Sequence, residues 1–353
     1  CPSLLLEPAS TNLIPYSEDF SNVAWNKSSL IATSTLDINP SGTGSAYKII
    51  TDSGVAISSA FIYEILSGLT PSVAHSYSIF AKKSELNSIR VVFDDAVTLS
   101  NRGEATFNLN DGSISNIQNT GNFSGVTAKS VNYGNGWYRC TVSSVINTTG
   151  QTRARVYNSD TTITTGDGAK GVLFYSAQFE QNSYATSYIK TVGTTQTRVA
   201  DTATGSGSST VINSSEGVLY FEGSALANDG TNRTISFSDG TSANRVFIGY
   251  SSGDKITCSF QIASSAVYGF DFTTDINVNS KLALKYKEND FALWVNGVEV
   301  NSQLSGNTFS AGTFTQMQFA SATTLSPFYG KTKSVQVYTT ALSDAELTTL
   351  TTI

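Results

Sequence analysis

Two stretches of this sequence place an aromatic ring and cationic side chains on one face of a strand. In the first, YGNGWYRCTVSS (133–144), alternation puts Trp137 and Arg139 on the face opposite Cys140. An aromatic ring can stack on the apolar face of a pyranose, and a guanidinium donates hydrogen bonds in a fixed direction. Trp137 and Arg139, with Tyr133 just before the turn, are therefore candidate carbohydrate-binding residues. The alternative is that Trp137 covers the edge of a sheet while Arg139 stacks on it or pairs with an acid.

The second stretch is KLALKYKENDFALWVNGVEV, which reads as two strands joined by a tight turn at Asn296-Gly297. Strand alternation puts Trp294 on the face that the apolar residues of its own strand do not use. Lys285 and Lys287 of the neighbouring strand share that outer face. The pattern predicts an open aromatic platform with Lys285 and Lys287 beside Trp294. The alternative is that another layer, a neighbouring subunit or the other domain, covers the indole.

Catalytic residues do not emerge from the sequence. Glycoside hydrolysis needs two carboxyl groups about 5–5.5 Å or about 6.5–9.5 Å apart. Asp94 and Asp95 are adjacent and would point to opposite faces of a strand, while Asp271 and Asp275 would lie roughly 13 Å apart along one. His75 is the single histidine, so no Ser/His/Asp set can be drawn. We therefore expect a protein that is not an enzyme, while acids brought together only by folding leave no trace in a sequence.

Charge and cysteine usage exclude several further classes. The net charge is −6 and no basic run occurs, which disfavours nucleic acid as a partner. No stretch approaches the roughly 18 apolar residues of a membrane helix, so we expect no membrane insertion. Cys1, Cys140 and Cys258 are too far apart for a CxxC metal site, and Cys140 fits a core position. No D-x-D-x-D loop marks a calcium site, so no cofactor or metal is assigned and calcium binding stays open.

Strands are the elements that must position these residues. Charged residues make up only 14% of the 353 residues, against about 25% in an average protein, and short aromatic or β-branched segments recur between turn signals. In the first half these segments are SIRVVFDD (88–95), EATFNLNDGSIS (104–115), GWYRCTVSSVI (136–146), TRARVYNS (152–159) and GVLFYSAQFEQ (171–181). Asp111-Gly112 predicts a further hairpin tip. Such spacing without intervening helices indicates an antiparallel sandwich.

The second half repeats this pattern after a polar junction. ADTATGSGSSTVINSSEG (200–217) is rich in Gly, Ser and Thr, and strand-like segments resume behind it. Ser343 and Glu346 form a capping box that predicts one short C-terminal helix, which packs Leu342 and Leu347 against the sheet. The fold class predicted is all-β, with two tandem antiparallel β-sandwiches and one short C-terminal helix.

Several segments resemble known modules of virus particles. LLLEPASTNLIPYSEDFSNVAWNK (4–27), YSIFAKKSE (77–85), GWYRCTVSS (136–144) and TSYIKTVGTTQTRVAD (186–201) resemble landmarks of a jelly roll in bacteriophage tail and fibre proteins, a module similar to carbohydrate-binding modules. KLALKYKENDFALWVNG and the following YTTALSDAEL resemble the concanavalin A-like (laminin G-like) sandwich. The resemblance implies a carbohydrate-binding-module-like jelly roll over 1–200, a linker over 201–216 and a concanavalin A-like sandwich over 217–353.

The resemblance also implies a function. It indicates a non-catalytic, glycan-binding part of a phage fibre or spike, at the virion surface after assembly in the bacterial host cytoplasm. The partners expected are a host cell-surface glycan and other virion proteins, in a homo-oligomer for which a trimer is usual. Two alternatives stay open: a structural decoration of capsid or tail whose sandwiches make subunit contacts, and a polysaccharide depolymerase.

Overall fold

The regular secondary structure of the described residues is almost entirely antiparallel strand, arranged in two compact units. A computed structural model describes residues 3–42, 44–322 and 325–353. The N-terminal unit is Ala9–Val199, and the C-terminal unit is Cys1–Pro8 together with Ala200–Ile353. Each unit is formed by stacked antiparallel sheets, so the predicted all-β fold class is confirmed.

The bounds of the elements follow the chain. Up to residue 199 they are β1 (Leu4–Leu6), β2 (Ser10–Asn12), β3 (Asn26–Ser28), β4 (Leu30–Ile38), β5 (Ser45–Thr51), a 3₁₀ turn (Ile57–Ser59), β6 (Phe61–Leu66), β7 (Val73–Lys83), β8 (Ser88–Asp95), β9 (Arg102–Asn108), β10 (Ile114–Asn119), β11 (Phe123–Gly134), β12 (Trp137–Ile146), β13 (Thr152–Ser159), β14 (Gly171–Glu180) and β15 (Gln196–Arg198). They continue with β16 (Glu216–Ala225), β17 (Arg233–Ser238), β18 (Arg245–Ser251), β19 (Lys255–Ile262), β20 (Ser265–Thr273), β21 (Ser280–Lys287), β22 (Phe291–Val295), β23 (Val298–Gln303), β24 (Gln316–Gln318), β25 (Gly330–Tyr338) and α1 (Asp344–Thr351).

The N-terminal unit is a sandwich of two six-stranded sheets. Sheet I has the order β10-β9-β8-β13-β6-β3, and sheet II has the order β11-β12-β7-β14-β5-β4. Every second residue of a strand points inward, and these residues form one apolar core that includes Phe93, Val156 and Phe179. Cys140 is fully buried in this core, as the sequence predicts, and its thiol is free. The opposite face of each sheet is left for other contacts.

The C-terminal unit is a second sandwich, of a six-stranded and a five-stranded sheet. Sheet III has the order β1-β25-β16-β21-β22-β23, and sheet IV has the order β20-β19-β18-β17-β24. Phe221, Tyr286 and Leu293 of sheet III belong to the core between the two sheets. Helix α1 lies on the outer face of sheet III, where Leu342 and Leu347 share an apolar cluster with sheet residues, as predicted.

The turn chemistry read from the sequence is confirmed. Asn296 and Gly297 both have positive φ, of 50° and 86°, and join β22 to β23 so that Val295 pairs with Val298. Two successive positive φ angles match the right-handed twist of the strands, and Asn-Gly adopts them at little cost. The capping box is also formed: the Ser343 hydroxyl accepts a hydrogen bond from the Glu346 amide, and the Glu346 carboxylate accepts one from the Ser343 amide.

The ends of the two units depart from a simple division of the chain. Strand β1 pairs with β25 in sheet III, so the first residues are part of the C-terminal unit rather than of the sandwich that follows them. Residues 201–216, whose composition predicts a linker, also make contacts within the C-terminal unit. Ile212 is buried in the C-terminal core, and Ser206 forms a β-bridge with Met317. Cys1 lies outside the described residues.

Candidate functional site

Trp137 is buried rather than exposed as an aromatic platform. Its side chain is only 1% exposed, and it packs with Phe80 and Leu173 in a small apolar cluster on the outer side of sheet II. The indole Nε1 donates a hydrogen bond of 3.1 Å to the carbonyl of Ile38. The exposed position predicted for Trp137 is therefore wrong, because further chain covers this face of the sheet.

Arg139 fixes part of that covering chain. The guanidinium is buried, with Nη1 donating to the Thr186 carbonyl at 2.6 Å and Nη2 donating to the Ser78 hydroxyl at 2.9 Å. The buried Glu180 carboxylate accepts from the Thr186 amide at 2.8 Å and from its hydroxyl at 2.7 Å. The segment that follows β14 is thus held on the outer face of sheet II. Arg139 serves packing in this structure, and an exposed position for it is also wrong.

Of the three candidates Tyr133, Trp137 and Arg139, Tyr133 is the one that is exposed to solvent. It is 49% exposed, and its ring meets Phe80 edge-on with the centroids 4.8 Å apart. A single half-exposed tyrosine beside a covered surface is a poor platform on its own, because the stacking partner of a pyranose needs directional polar groups next to it. Tyr133 remains a prediction as a binding residue.

Trp294 lies beneath the C-terminal helix. It occupies the outer face of sheet III, as alternation predicts, but is only 6% exposed and is clustered with Tyr220 and Leu347. Its Nε1 has no hydrogen-bond partner among the described residues. The predicted open platform is wrong because α1 supplies the covering layer. The sequence predicts both the helix and the outward indole, without showing that they meet on the same face.

The two lysines beside Trp294 differ in their surroundings. Lys285 is buried, and its Nζ lies 2.7 Å from Asp290 and 3.4 Å from Asp344. Lys287 has a half-exposed side chain, with its Nζ 3.8 Å from Glu216. Lys285 therefore joins the sheet to the helix, which contradicts an exposed position for it, and Lys287 alone is open to solvent.

A partly exposed face with the chemistry of a binding site is found on sheet I instead. In β8 and β13 the apolar residues Val91 and Val156 point into the core, so the residues on either side of each one along its strand point outward. Apart from Val92 and the terminal Ser88 and Ser159, these outward residues carry guanidinium groups, a carboxylate and a phenol ring rather than the hydroxyls of an ordinary solvent face. We call this surface the arginine face. Its members are Phe61, Tyr63, Arg90, Asp94, Arg102, Glu104, Arg153, Arg155 and Tyr157.

Asp94 organises the centre of the arginine face. Arg153 donates from Nε and Nη2 to the two oxygens of Asp94, each at 3.0 Å. Arg155 also binds Oδ2 of the same carboxylate through Nη2. Asp94 is fully buried, and a paired, bidentate geometry is what a buried carboxylate requires. The two guanidinium groups are thereby held in fixed positions on the sheet.

Glu104 has the same role on the neighbouring strand β9. Its Oε2 lies 3.0 Å from Nε of Arg102 and 3.7 Å from Nη1 of Arg90, and Gln118 donates to Oε1. The Glu104 side chain is 3% exposed, whereas those of Arg102 and Arg90 are 34% and 28% exposed. The Glu104 carboxylate therefore lies buried, and the side chains of Arg90 and Arg102 that pair with it are partly exposed to solvent.

Aromatic rings alternate with these arginines across the sheet. The guanidinium of Arg90 lies 4.1 Å from the ring centroid of Tyr157, and Phe61 lies 4.9 Å beyond it, centroid to centroid. Arg155 lies between Phe61 and Tyr157, at 5.0 Å and 5.1 Å from their centroids. Tyr63 lies 5.5 Å from the guanidinium of Arg153. These cation–π contacts fix the planes of the arginines, and Phe61 and Tyr63 stay partly exposed.

A polar cleft opens at one end of the arginine face. Its volume is about 420 Å³, within the range of about 300–1,000 Å³ that is usual for small-molecule sites. Arg90 connects the cleft to the aromatic rings, and hydroxyl and amide groups form most of the remaining wall. The wall includes Ser88, Thr106, Asn108, Ser115, Asn116 and Asp160.

The electrostatics of the arginine face are those of excess positive charge. Burial, followed by the charge of Arg90, lowers the pKa of the Arg155 guanidinium, while Tyr157 and Tyr63 oppose this shift. The Nε of Arg155 has no hydrogen-bond partner among the described residues. Asp160 adds a carboxylate to the cleft wall, but Oδ1 accepts from the amides of Thr162 and Ile163 and Oδ2 accepts from the amide of Asn87. These amide bonds contribute to the lowered pKa of Asp160 against a raising effect of burial.

Other titratable groups are placed away from the arginine face. His75 is buried against Phe179, and burial lowers its pKa. Glu64 points to the core side of β6, where burial raises its pKa to about 7 against the opposing charge of Lys27. Asp271 forms an exposed pair with Lys255 at 3.3 Å. Over residues 3–42, 44–322 and 325–353, no group of three or more His, Cys, Asp or Glu is placed to hold a metal ion.

The arginine face was not predicted from the sequence, although three of its strands, β8, β9 and β13, were. TRARVYNS places Arg153, Arg155 and Tyr157 at alternate positions, and SIRVVFDD places Arg90 and Asp94 on one face with Val92 between them. The available signal was the presence of Arg and Tyr, in place of Ser and Thr, at outward positions of these two strands. The pairing of Arg155 with Val92 and of Arg153 with Asp94 could not be known without the strand order.

Comparisons with known proteins bear on the C-terminal unit. Residues 224–348 match the family model described as the concanavalin A-like lectin/glucanases superfamily. The concanavalin A-like sandwich predicted for the second half of the chain is thereby confirmed. No curated protein matches the chain in sequence. Among the described residues, no helix has the length and apolar character needed to cross a membrane.

Three of the solved structures that match are distantly similar to this chain. The CBM40 of the Ruminococcus gnavus IT-sialidase bound to α2,3-sialyllactose is 19% identical, with 42% of this chain and 94% of that chain covered and a TM-score of 0.35. Sheep galectin-11 in complex with glycerol is 13% identical, with coverage of 40% and 99% and a TM-score of 0.27. The mouse laminin α1 chain domains LG4-5 are 8% identical, with coverage of 80% and 88% and a TM-score of 0.28. TM-scores this low do not establish a shared fold.

Proposed function

We propose that this protein binds glycans without cleaving them, and that the arginine face of the N-terminal unit is the binding surface. The observation that carries the proposal is the continuity of partly exposed rings, fixed guanidinium groups and a polar cleft on one sheet. Phe61 and Tyr63 offer apolar faces to a pyranose, Arg90 offers directed donors, and the hydroxyls and amides of the cleft suit sugar hydroxyls. Such a surface recognises an extended saccharide rather than one isolated ring.

The setting that we propose is the outer surface of a phage fibre or spike. This setting is supported by the resemblance of residues 4–27, 77–85, 136–144 and 186–201 to phage fibre modules. Attachment to a polysaccharide of the bacterial surface would then rest on several weak sites. A homotrimer would present three copies, and linked sites gain avidity without any new contact.

Binding of the intact chain to a glycan array tests the proposal, with Tyr63→Ala and Phe61→Ala as site variants. Tyr133→Ala is the matched control, since it removes a partly exposed tyrosine from sheet II. We expect both site variants to lose about tenfold or more in affinity and the control to bind as the unmodified chain. Unchanged binding by both site variants would overturn the assignment of the arginine face, and loss of binding in Tyr133→Ala alone would move the site to sheet II.

The same preparation separates adhesion from cleavage. After incubation with each bound polysaccharide, we expect no new reducing ends and no fall in viscosity. Either change, abolished by none of the arginine-face variants, would mean that a catalytic site lies elsewhere on the chain. Either change abolished by Tyr63→Ala would make the arginine face itself the site of a depolymerase.

A structural role in the virion has one specific observation in its favour. Strand β4 is the edge strand of sheet II and exposes Ile31, Leu36 and Ile38, with Leu36 98% exposed. Apolar side chains on an open edge strand are suited to contact another chain. Sedimentation of the unmodified chain and of Leu36→Lys tests this: a stable oligomer that the substitution dissociates would support a subunit contact at β4, and a monomer in both cases would oppose it.

A further inference from the structure

The charges of the arginine face do not cancel. Arg90, Arg102, Arg153 and Arg155 bring four positive charges, and Asp94 and Glu104 bring two negative ones. The face therefore carries an excess of two positive charges in a chain whose net charge is −6. Asp160 at the cleft lowers this excess to one, but its oxygens are already committed to loop amides. A local excess of opposite sign to the whole chain points to an anionic partner.

The two carboxylates and four arginines form two layers of different exposure. Asp94 is fully buried under Arg153 and Arg155, whose side chains are 12% and 6% exposed. Arg90 and Arg102 form the outer layer, at 28% and 34%. In the inner layer the Asp94 carboxylate is shared by both guanidinium groups, while Nε of Arg155 has no hydrogen-bond partner among the described residues. The outer layer is the more exposed of the two, and Arg90 lines the cleft, so it is there that a ligand can add hydrogen bonds.

Arg90 is the outer arginine best placed to bind a ligand. It lines the cleft, its guanidinium lies 4.1 Å from the ring centroid of Tyr157, and its distance to Glu104 is 3.7 Å. The stacking fixes the plane of the guanidinium, while the long distance to Glu104 leaves that ion pair weak. A planar guanidinium held in one orientation matches the two oxygens of a carboxylate.

We propose that the glycan bound by this protein is acidic, and that Arg90 binds a sugar carboxylate at the mouth of the cleft. This inference rests on the proposed function. The carboxylate would take the place of solvent at the outer edge of Arg90, with the pyranose ring toward Phe61 and its hydroxyls toward Ser88 and Asn108. Neutral hexose polymers lack the group that Arg90 is positioned to bind. The ligand class is therefore a polysaccharide that contains uronate or another carboxylated sugar.

The experiment compares carboxylated oligosaccharides with the same oligosaccharides after reduction of the carboxyl to a primary alcohol. The probes are hexuronate and nonulosonate oligosaccharides, titrated into the intact chain at low and at moderate salt. We expect reduction of the carboxyl to weaken binding about tenfold or more, and added salt to weaken binding of the acidic form more than that of the reduced form. Arg90→Gln should abolish the preference for the acidic form.

A matched control is available on the C-terminal unit. Arg245 is also partly exposed and stacks over an aromatic ring, with its guanidinium 4.9 Å from the centroid of Phe247. Arg245→Gln should leave the preference intact, whereas Arg90→Lys should keep the salt dependence and lose part of the affinity because an ammonium cannot bind the carboxylate bidentately.

The outcomes separate the two proposals. Equal affinity for acidic and reduced oligosaccharides, with loss of both in Tyr63→Ala, would overturn the acidic specificity and leave glycan binding by the arginine face in place. A preference for the acidic form that Arg90→Gln retains would overturn the role of Arg90. An array on which neutral glycans bind and carboxylated ones do not would likewise exclude an acidic ligand, whereas an array with no bound glycan at all would overturn the proposed function as well.

Discussion

Arg153 and Asp94 form a bidentate ion pair on the surface of sheet I, with two hydrogen bonds of 3.0 Å. Asp94 is fully buried beneath this pair and also binds Arg155, so one carboxylate fixes two guanidinium groups. The pairing is possible because Arg153 and Asp94 are direct cross-strand partners of β13 and β8. The position of the arginine face thus depends on strand register as much as on residue type.

Asp94→Ala should destabilise the N-terminal unit strongly. The substitution removes the shared partner of the buried Arg155 and of the largely buried Arg153, which typically costs about 3–5 kcal/mol. Chemical denaturation measures the free energy of unfolding, and Asp271→Ala serves as control because its pair with Lys255 is solvent-exposed. The control should change stability by less than about 1 kcal/mol. Equal, small effects of both substitutions would show that the Asp94 pairs do not hold the face together.

Trp294→Ala should destabilise the C-terminal unit and leave glycan binding unchanged. The indole is buried with Tyr220 and Leu347, and removal of a buried aromatic side chain costs about 3–5 kcal/mol. Val298→Ala, at the first residue of β23 in the same hairpin, is the control, since Val298 is 60% exposed. Denaturant-induced unfolding measures the change in stability, and binding to the glycan array measures the change in affinity. Loss of binding with unchanged stability would restore Trp294 as a sugar platform.

Trp294 and α1 show what the sequence reveals and what it omits. Alternation places Trp294 on the outer face, and the capping box at Ser343 predicts the helix; both predictions are confirmed. The contact between them is a tertiary relation between residues about 50 positions apart, and local patterns carry no information on it. A face left open by its own strand is a prediction about that strand only.

The same limit applies to Trp137 and Arg139. Their shared strand face follows from alternation, but the segment that covers it begins only after Glu180. Arg139 donates to the Thr186 carbonyl, and the Thr186 amide donates to Glu180, and these bonds hold the segment. On sheet I the opposite holds. The sequence identifies the strand that carries Arg153 and Arg155, but nothing in the sequence shows that the outer face of this strand stays partly uncovered. Periodicity predicts the strands, whereas only the complete fold shows which faces stay accessible.

Arg139→Met should loosen the segment that follows β14. Methionine keeps an apolar stem but cannot donate to the Thr186 carbonyl or the Ser78 hydroxyl, and such a loss costs about 1–3 kcal/mol. Hydrogen exchange measured by mass spectrometry should rise in residues 181–191 and stay unchanged in the C-terminal unit. Arg245→Met, at a partly exposed arginine of β18, is the control and should leave residues 181–191 unaffected. Unaltered exchange over 181–191 in Arg139→Met would mean that the other hydrogen bonds to this segment, those between Glu180 and Thr186 among them, hold it without Arg139.

Glu64 should make the stability of the N-terminal unit fall as the pH rises. Burial raises the pKa of this carboxyl from 4.5 to about 7, and one of its oxygens has no hydrogen-bond partner among the described residues. Between these two values the folded state keeps a proton that the unfolded state has released. The free energy of unfolding therefore falls by about 1.4 kcal/mol per pH unit, or roughly 3 kcal/mol over the whole interval. Below pH 4.5 the full contribution is present, and above pH 7 it has been lost.

Glu64→Gln isolates this effect, because glutamine is neutral at every pH in the interval. His75, whose pKa burial lowers, contributes the opposite slope below its ordinary value of 6.5, and it does so in both proteins. The measured quantity is the difference in free energy of unfolding between Glu64→Gln and the unmodified chain at several pH values from about 5 to about 7.5. We expect this difference to grow with pH in favour of the glutamine variant. A difference that stays constant over this range would place the Glu64 carboxyl in contact with water.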